Sequence, residues 1–99
     1  MADKTAGTAD ELTISYVEDG VELVKELDKE VLTRGAWATV IFRYQERNKN
    51  TGEYGPDKYS IRRYQKREGQ YMQKSKFNIS SAAQARQLVE ILTRWTGEE

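Results

Sequence analysis

The chain has no cysteine, no histidine, one proline and two phenylalanines among its 99 residues. Without cysteine there are no disulfides, no thiolate metal ligands and no thiol nucleophile. Without histidine the commonest general base and the commonest metal ligand are missing too. Neither a G-x-x-x-x-G-K-[ST] loop nor a G-x-G-x-x-G turn is present to cradle a phosphate. Ser60, Ser80 and Ser81 have no base in an arguable geometry. The carboxylates crowd the first third of the chain, where no apolar pocket is in view to raise a pKa. The expectation is a non-enzyme without metal or cofactor.

Long apolar runs are absent as well. None approaches the ~18 residues of a membrane helix, and MADKTAGTADE lacks the basic-then-apolar layout of a signal peptide. A soluble, cytoplasmic protein with no membrane partner is expected. The length suits one domain, and 37% hydrophobic against 32% charged residues implies a thin core. A thin core in a small domain favours completion by a second subunit, so a homodimer is expected.

What is present is charge, and it is sorted. The net charge is zero, yet residues 1–33 hold nine acids and three bases, net −6. Residues 34–76 hold eleven bases and four acids, net +7. A polyanion responds to the local field of one face rather than to the sum. The stretch DKYSIRRYQKREGQYMQKSKF, Asp57 to Phe77, interleaves seven Lys or Arg residues with three tyrosines.

Periodicity supplies the elements. Residues 1–10 are small, polar and aperiodic, which predicts a disordered tail ahead of a single domain over 11–97. AWATVIFRYQERN (36–48) is the clearest strand, rich in β-branched and aromatic residues. The polar NKNTGEYGPD follows, then KYSIRRYQKR and QYMQKSKFNI as two strands joined at Glu68-Gly69. Ser81 and Gln84 form an S-x-x-Q capping box for a helix that carries Ala85, Leu88, Val89, Leu92 and Trp95 as an apolar stripe and stops at Gly97.

VELVKELDKEVLT (21–33) admits two readings. Its residues are good helix formers with Gly35 as a stop. As a strand it places Val21, Leu23, Leu27 and Val31 on one face and turns through Arg34-Gly35 into the next strand. The strand reading is adopted because it completes a four-stranded sheet able to support one helix. LTISY (12–16) is a candidate short edge strand, or the first strand if 21–33 is helical. The expected fold is α+β: a four-stranded antiparallel sheet followed by one C-terminal helix, ββββα.

ATVIFRYQERN, the turn-rich NKNTGEYGPDKYSIRRY and KFNISSAAQARQLVEIL together resemble the single-stranded nucleic-acid-binding group of positive-cofactor-four-like coactivators, Whirly proteins and PUR repeats. The likeness spans roughly residues 21–96. It implies a curved antiparallel sheet, dimeric or pseudo-dimeric, that holds unpaired bases and backbone, in transcription or nucleic-acid maintenance.

The residues can be set against that role directly. With Phe42, Ile61, Phe77 and Ile79 turned inward against the helix, the period of two puts a basic, aromatic set on the opposite face. Its members are Trp37, Arg43, Arg47, Lys58, Arg62, Tyr64, Lys66, Lys74 and Lys76. Lys and Arg supply phosphate contacts and counterion release, while Trp37 and Tyr64 offer stacking platforms. Single-stranded DNA or RNA is the expected partner, bound with little sequence preference. Leu88, Leu92 and Trp95 are the expected dimer seam. Two plainer readings stand beside this one. Lys, Arg and Tyr also decorate any solvated sheet face, and a basic sheet also suits an interaction or adaptor module that meets an acidic protein.

Overall fold

The computed structural model describes residues 7–97. A five-stranded antiparallel sheet runs in sequence order through β1 (Tyr16–Glu18), β2 (Val21–Thr33), β3 (Trp37–Glu46), β4 (Lys58–Arg67) and β5 (Gln70–Ile79). One helix, α1 (Ala82–Thr96), follows. The α+β class and the terminal helix agree with expectation, and the segment 21–33 is a strand. The strand count is corrected from four to five. The additional strand is a three-residue edge, and it starts at Tyr16, where the LTISY candidate ends.

Turn chemistry explains the two tightest connections. Asp19 and Gly20 have φ of 55° and 78°, and Glu68 and Gly69 have φ of 53° and 80°. Paired positive φ values match the twist of two-residue hairpins; Asp-Gly is a favoured pair for them, and Glu68 adopts the same left-handed conformation ahead of Gly69.

β2 is built from helix formers and is a strand nonetheless. Pairing to β3 from Val24 to Thr33 and to β1 over Val21–Val24 gives its backbone partners, a tertiary gain that outweighs weak local propensity. Its ladder with β3 shifts register between Glu26 and Asp28 and again between Val31 and Thr33. Leu27 and Leu32 fall in these bulges and are exposed. The expected common face of Val21, Leu23, Leu27 and Val31 is therefore broken, because each bulge resets the alternation.

The β3–β4 register decides the rest. Phe42 opposes Ser60, Val40 opposes Arg62 and Ala38 opposes Tyr64, whereas Ile41 opposes Ile61. Directly opposed residues share a face. Phe42 and Ile61 thus lie on opposite faces, contrary to expectation. On β5, Phe77 opposes Ile61 and Ile79 opposes Tyr59, so both join Ile61 on what we term the outer face.

The other side is the core face. Ala38, Val40, Phe42, Tyr44, Tyr64 and Tyr71 are buried there together with Ala9, Leu12 and Ile14, and Val24 and Val31 pack against them. The helix was expected to cover Phe42; the N-terminal segment does so instead. Residues 1–6 of the expected tail lie outside the described residues. Residues 9–11 form a short 3₁₀ turn, and Ala9 is in the core. Two β2 side chains fasten this segment. Lys29 Nζ donates to the carbonyls of Asp10 (2.6 Å) and Leu12. Glu26 Oε1 accepts from Thr13 Oγ1 (2.6 Å) and the Ile14 amide (3.3 Å). Arg34 adds an ion pair to Asp10 at 2.9 Å.

α1 is capped by Ser81, whose Oγ accepts from the Gln84 amide at 3.1 Å. The capping box is modified: Gln84 Oε1 accepts from the amide of Ser80 rather than that of Ser81. Gly97, with φ of 88°, closes the helix in the left-handed region that its missing Cβ permits. The helix holds no buried residue and its chief contact is with β5. Ala82, Ala85, Leu88 and Ile91 are half-buried, while Val89, Leu92 and Trp95 are exposed, Trp95 at 74%. No helix among the described residues is long and apolar enough to cross a membrane.

Candidate functional site

The register divides the nine expected contact residues between locations. Trp37 and Arg43 are on the outer face. Lys58, Arg62, Tyr64, Lys66 and Lys76 are on the core face. Arg47 lies past the end of β3, bridged to Tyr54 in the 47–57 connection. Lys74 occupies the bulge where the β4–β5 register shifts, and lines a shallow depression with Arg67, Glu68, Gln70 and Met72. The expected single basic face is thereby corrected to two faces.

On the core face, beside the N-terminal segment, lies a groove of about 520 Å³. Leu12, Thr13 and Ile14 form one wall, Tyr44 and Tyr64 line it from β3 and β4, and Arg62, Gln73, Lys76 and Asn78 complete the β4–β5 side. Its volume falls within the usual range of ligand sites. Tyr64 is only 5% exposed, so its role is to line the groove rather than to offer an open ring. Burial pushes the phenols of Tyr44 and Tyr64 above their ordinary pKa, with Arg62 opposing in each case. Both hydroxyls therefore keep their protons at neutral pH.

Among the described residues Glu46 is the only carboxylate lining the groove, and it accepts from Lys58 Nζ at 2.9 Å. That contact raises the Lys58 pKa. Arg62 and Lys76 oppose one another across β4 and β5 and make no ion pair with the described residues. Arg62 is oriented by two hydrogen bonds, from Nε to Ser60 Oγ and from Nη1 to Gln73 Oε1, each 3.2 Å. Lys66, further along β4, stands 5.4 Å over the Tyr71 ring. Tyr71 itself is structural, since its hydroxyl exchanges hydrogen bonds with the backbone of Gly35.

The outer face has a different character. Trp37 is 39% exposed and Phe77 is 51% exposed, and Phe77 shares its row with half-buried Ile41 and Ile61, with Thr39 and Arg63 between that row and Trp37. Arg43 is engaged with Asp57 through Nε at 2.7 Å, and Gln45 donates to the second Asp57 oxygen at 2.9 Å. Of its two expected members, Arg43 is ion-paired with Asp57, and Trp37 opposes Gln65 with the Arg63 guanidinium over its ring.

Gln73 and Asn78 line the groove as well, and as neutral amides they carry no charge signal in the sequence. What the sequence does show is that both stand on the strand that carries Lys74 and Lys76. Among the described residues no group of three or more His, Cys, Asp or Glu is placed to hold a metal. No protein-family model, no curated protein and no solved structure matches the chain.

Proposed function

We propose that this protein binds single-stranded DNA or RNA with little sequence preference, along the core-face groove. The observation that carries the reading is the pair Arg62 and Lys76, side by side in a tyrosine-lined groove whose one carboxylate is already committed to Lys58. Such a pair attracts phosphate, and the tyrosines supply apolar surface for sugar and base edges. The groove spans residues from β2 to β5, three strand spacings or about 14 Å, which suits one extended strand. The same use of a sheet is what the resemblance to the positive-cofactor-four-like, Whirly and PUR group implies. The test is to titrate poly-dT, poly-U and duplex DNA at two salt concentrations. Tighter binding of the single strands, with affinity falling as salt rises, is the expected result. Equal or stronger binding to an acidic protein surface would replace this reading with the adaptor module.

The assembly we propose is a homodimer that covers α1. Leu92 and Trp95 lie exposed on a helix without a buried residue, with Leu88 half-buried beside them. The same chain exposes Trp37 and Phe77 on its outer face, Trp37 beside Arg63 and Phe77 in the row of Ile41 and Ile61. A helix stripe and a sheet face are complementary surfaces, so two copies can each cover the other's. This leaves both grooves open. Light scattering is expected to give the mass of two chains, and Trp95→Glu is expected to halve it.

A further inference from the structure

Ser60 is the only buried polar residue of the described chain, with 0% exposure. It has one hydroxyl proton, and a buried hydroxyl needs an acceptor. Asn78 Oδ1 takes that proton at 2.7 Å, while Ser60 Oγ accepts from Arg62 Nε. Arginine has only N–H donors, so the Gln73 atom it meets is the carbonyl oxygen. One hydroxyl and one guanidinium thus occupy the side-chain oxygens of both amides. The amide NH₂ groups of Gln73 and Asn78 are left to the groove.

The β4–β5 side of the groove therefore presents donors. Arg62 retains N–H groups beyond the two that fix it, Lys76 contributes an ammonium, and Gln73 and Asn78 contribute NH₂ groups. Ser60, Arg62, Lys76 and Asn78 are neighbours by register, as Ser60 opposes Asn78 and Arg62 opposes Lys76. A base edge mixes donors and acceptors, whereas a phosphate offers acceptors alone and carries the charge that Arg62 and Lys76 require.

We infer that Arg62, Gln73, Lys76 and Asn78 form a phosphate-binding subsite, with Ser60 as the positioning residue that aims Arg62 and Asn78. The inference rests on the strand-binding reading for the natural source of the phosphate, and on the hydrogen bonds alone for its chemistry. It adds neutral amides to a site otherwise defined by charge, and it makes Arg62 a directional group rather than a point charge.

The experiment uses the full chain and three probes: inorganic phosphate, a dT oligonucleotide, and the same oligonucleotide with a 5′-phosphate. Phosphate is expected to shift the NMR signals of Arg62 Nε–H and of the Gln73 and Asn78 side-chain amides. The double change Gln73→Leu with Asn78→Leu also removes the acceptors of Arg62 Nη1 and the Ser60 hydroxyl, so it is read on protein shown to be folded by circular dichroism. It is expected to lower affinity for the occupying probe about tenfold, while the salt slope stays unchanged because no cation is lost. Arg62→Lys, which preserves charge but not the fork, is expected to do the same. Loss from the unphosphorylated strand assigns the subsite to a backbone linkage. Loss confined to the 5′-phosphorylated strand assigns it to a strand end. Shifts with inorganic phosphate but no oligonucleotide binding would uphold the subsite and overturn the strand-binding reading. Oligonucleotide binding that the double change and Arg62→Lys both leave intact would overturn the subsite and uphold that reading. Absence of binding to any probe overturns both.

Discussion

The Arg63 guanidinium lies 4.5 Å over the indole of Trp37. Trp37 opposes Gln65 and Arg63 opposes Thr39, so this is a diagonal contact within the outer face. One ring face that a base would need is thus taken by a cation, an arrangement worth about 0.5–1 kcal/mol where solvent reaches it. In this setting the Trp37 ring packs against a cation of its own sheet. We expect Trp37→Ala to lower the melting temperature and weaken the dimer while leaving dT affinity within about twofold. Calorimetry, light scattering and oligonucleotide titration on one preparation check this. A folded, dimeric variant that loses tenfold or more in affinity would return Trp37 to the nucleic-acid interface.

Leu12 and Ile14 cover the core face. Burying such a side chain contributes about 1.5–3 kcal/mol, and removing it leaves a cavity as well. Leu12→Ala is expected to destabilise the domain by about 2–4 kcal/mol, read from urea unfolding. A change below about 0.5 kcal/mol would mean that the segment is dispensable and that the groove lacks its wall.

Much of the sheet was legible because its signals are local. β-branched and aromatic residues define β3, and Glu68-Gly69 marks a hairpin from two positions alone. Asp19-Gly20 carries the same signal, and it places the edge strand at Tyr16–Glu18, at the end of the LTISY candidate rather than within it. The faces were not legible. Apolar residues stand on both sides of β3, with Val40 and Phe42 on one and Ile41 on the other. The long 47–57 connection leaves the offset of β4 undetermined by its length. A slip of one residue exchanges the faces, so Arg62 and Trp37 were placed together although the ladder sets them apart. The strand 21–33 resisted for another reason: its alternation is interrupted by bulges that no residue type announces. The role of Leu12 was hidden because a short polar segment has no period to read.

Asp57 joins the start of β4 to β3. The hydrogen bond from Arg43, then that from Gln45, holds its carboxyl below the usual aspartate range. A depressed folded-state pKa stabilises the fold above the unfolded pKa, and that contribution is lost as pH falls through the folded value. The loss therefore lies on the acid side of the ordinary aspartate pKa of about 3.9. Both partners are near the surface, so the effect is modest and screened by salt. Melting temperature followed over pH ~2–6 is expected to fall less steeply for Asp57→Asn than for the parent, with the curves converging at the acid end. Parallel curves across that window would remove the ion pair from the account of acid stability.

The two faces also make opposite predictions for charge. Arg62 and Lys76 face the groove, while Arg63 and Arg67 oppose Ser75 and Gln70 on the outer face. Replacing either pair with alanine removes two cations, one each from β4 and β5 for the groove pair and both from β4 for the outer pair, so the net charge changes equally. A uniform long-range field would respond equally to both. Direct phosphate contact would not, because each lost contact lowers the slope of log affinity against log salt by about 0.7 for a single strand. We expect the Arg62→Ala, Lys76→Ala protein to lose about 1.4 from that slope with poly-dT. The Arg63→Ala, Arg67→Ala protein is expected to retain its slope within experimental error. Circular dichroism and light scattering on both confirm that folding and assembly are matched. If the outer pair changes the slope and the groove pair does not, the strand runs across the outer face and the groove is not its path.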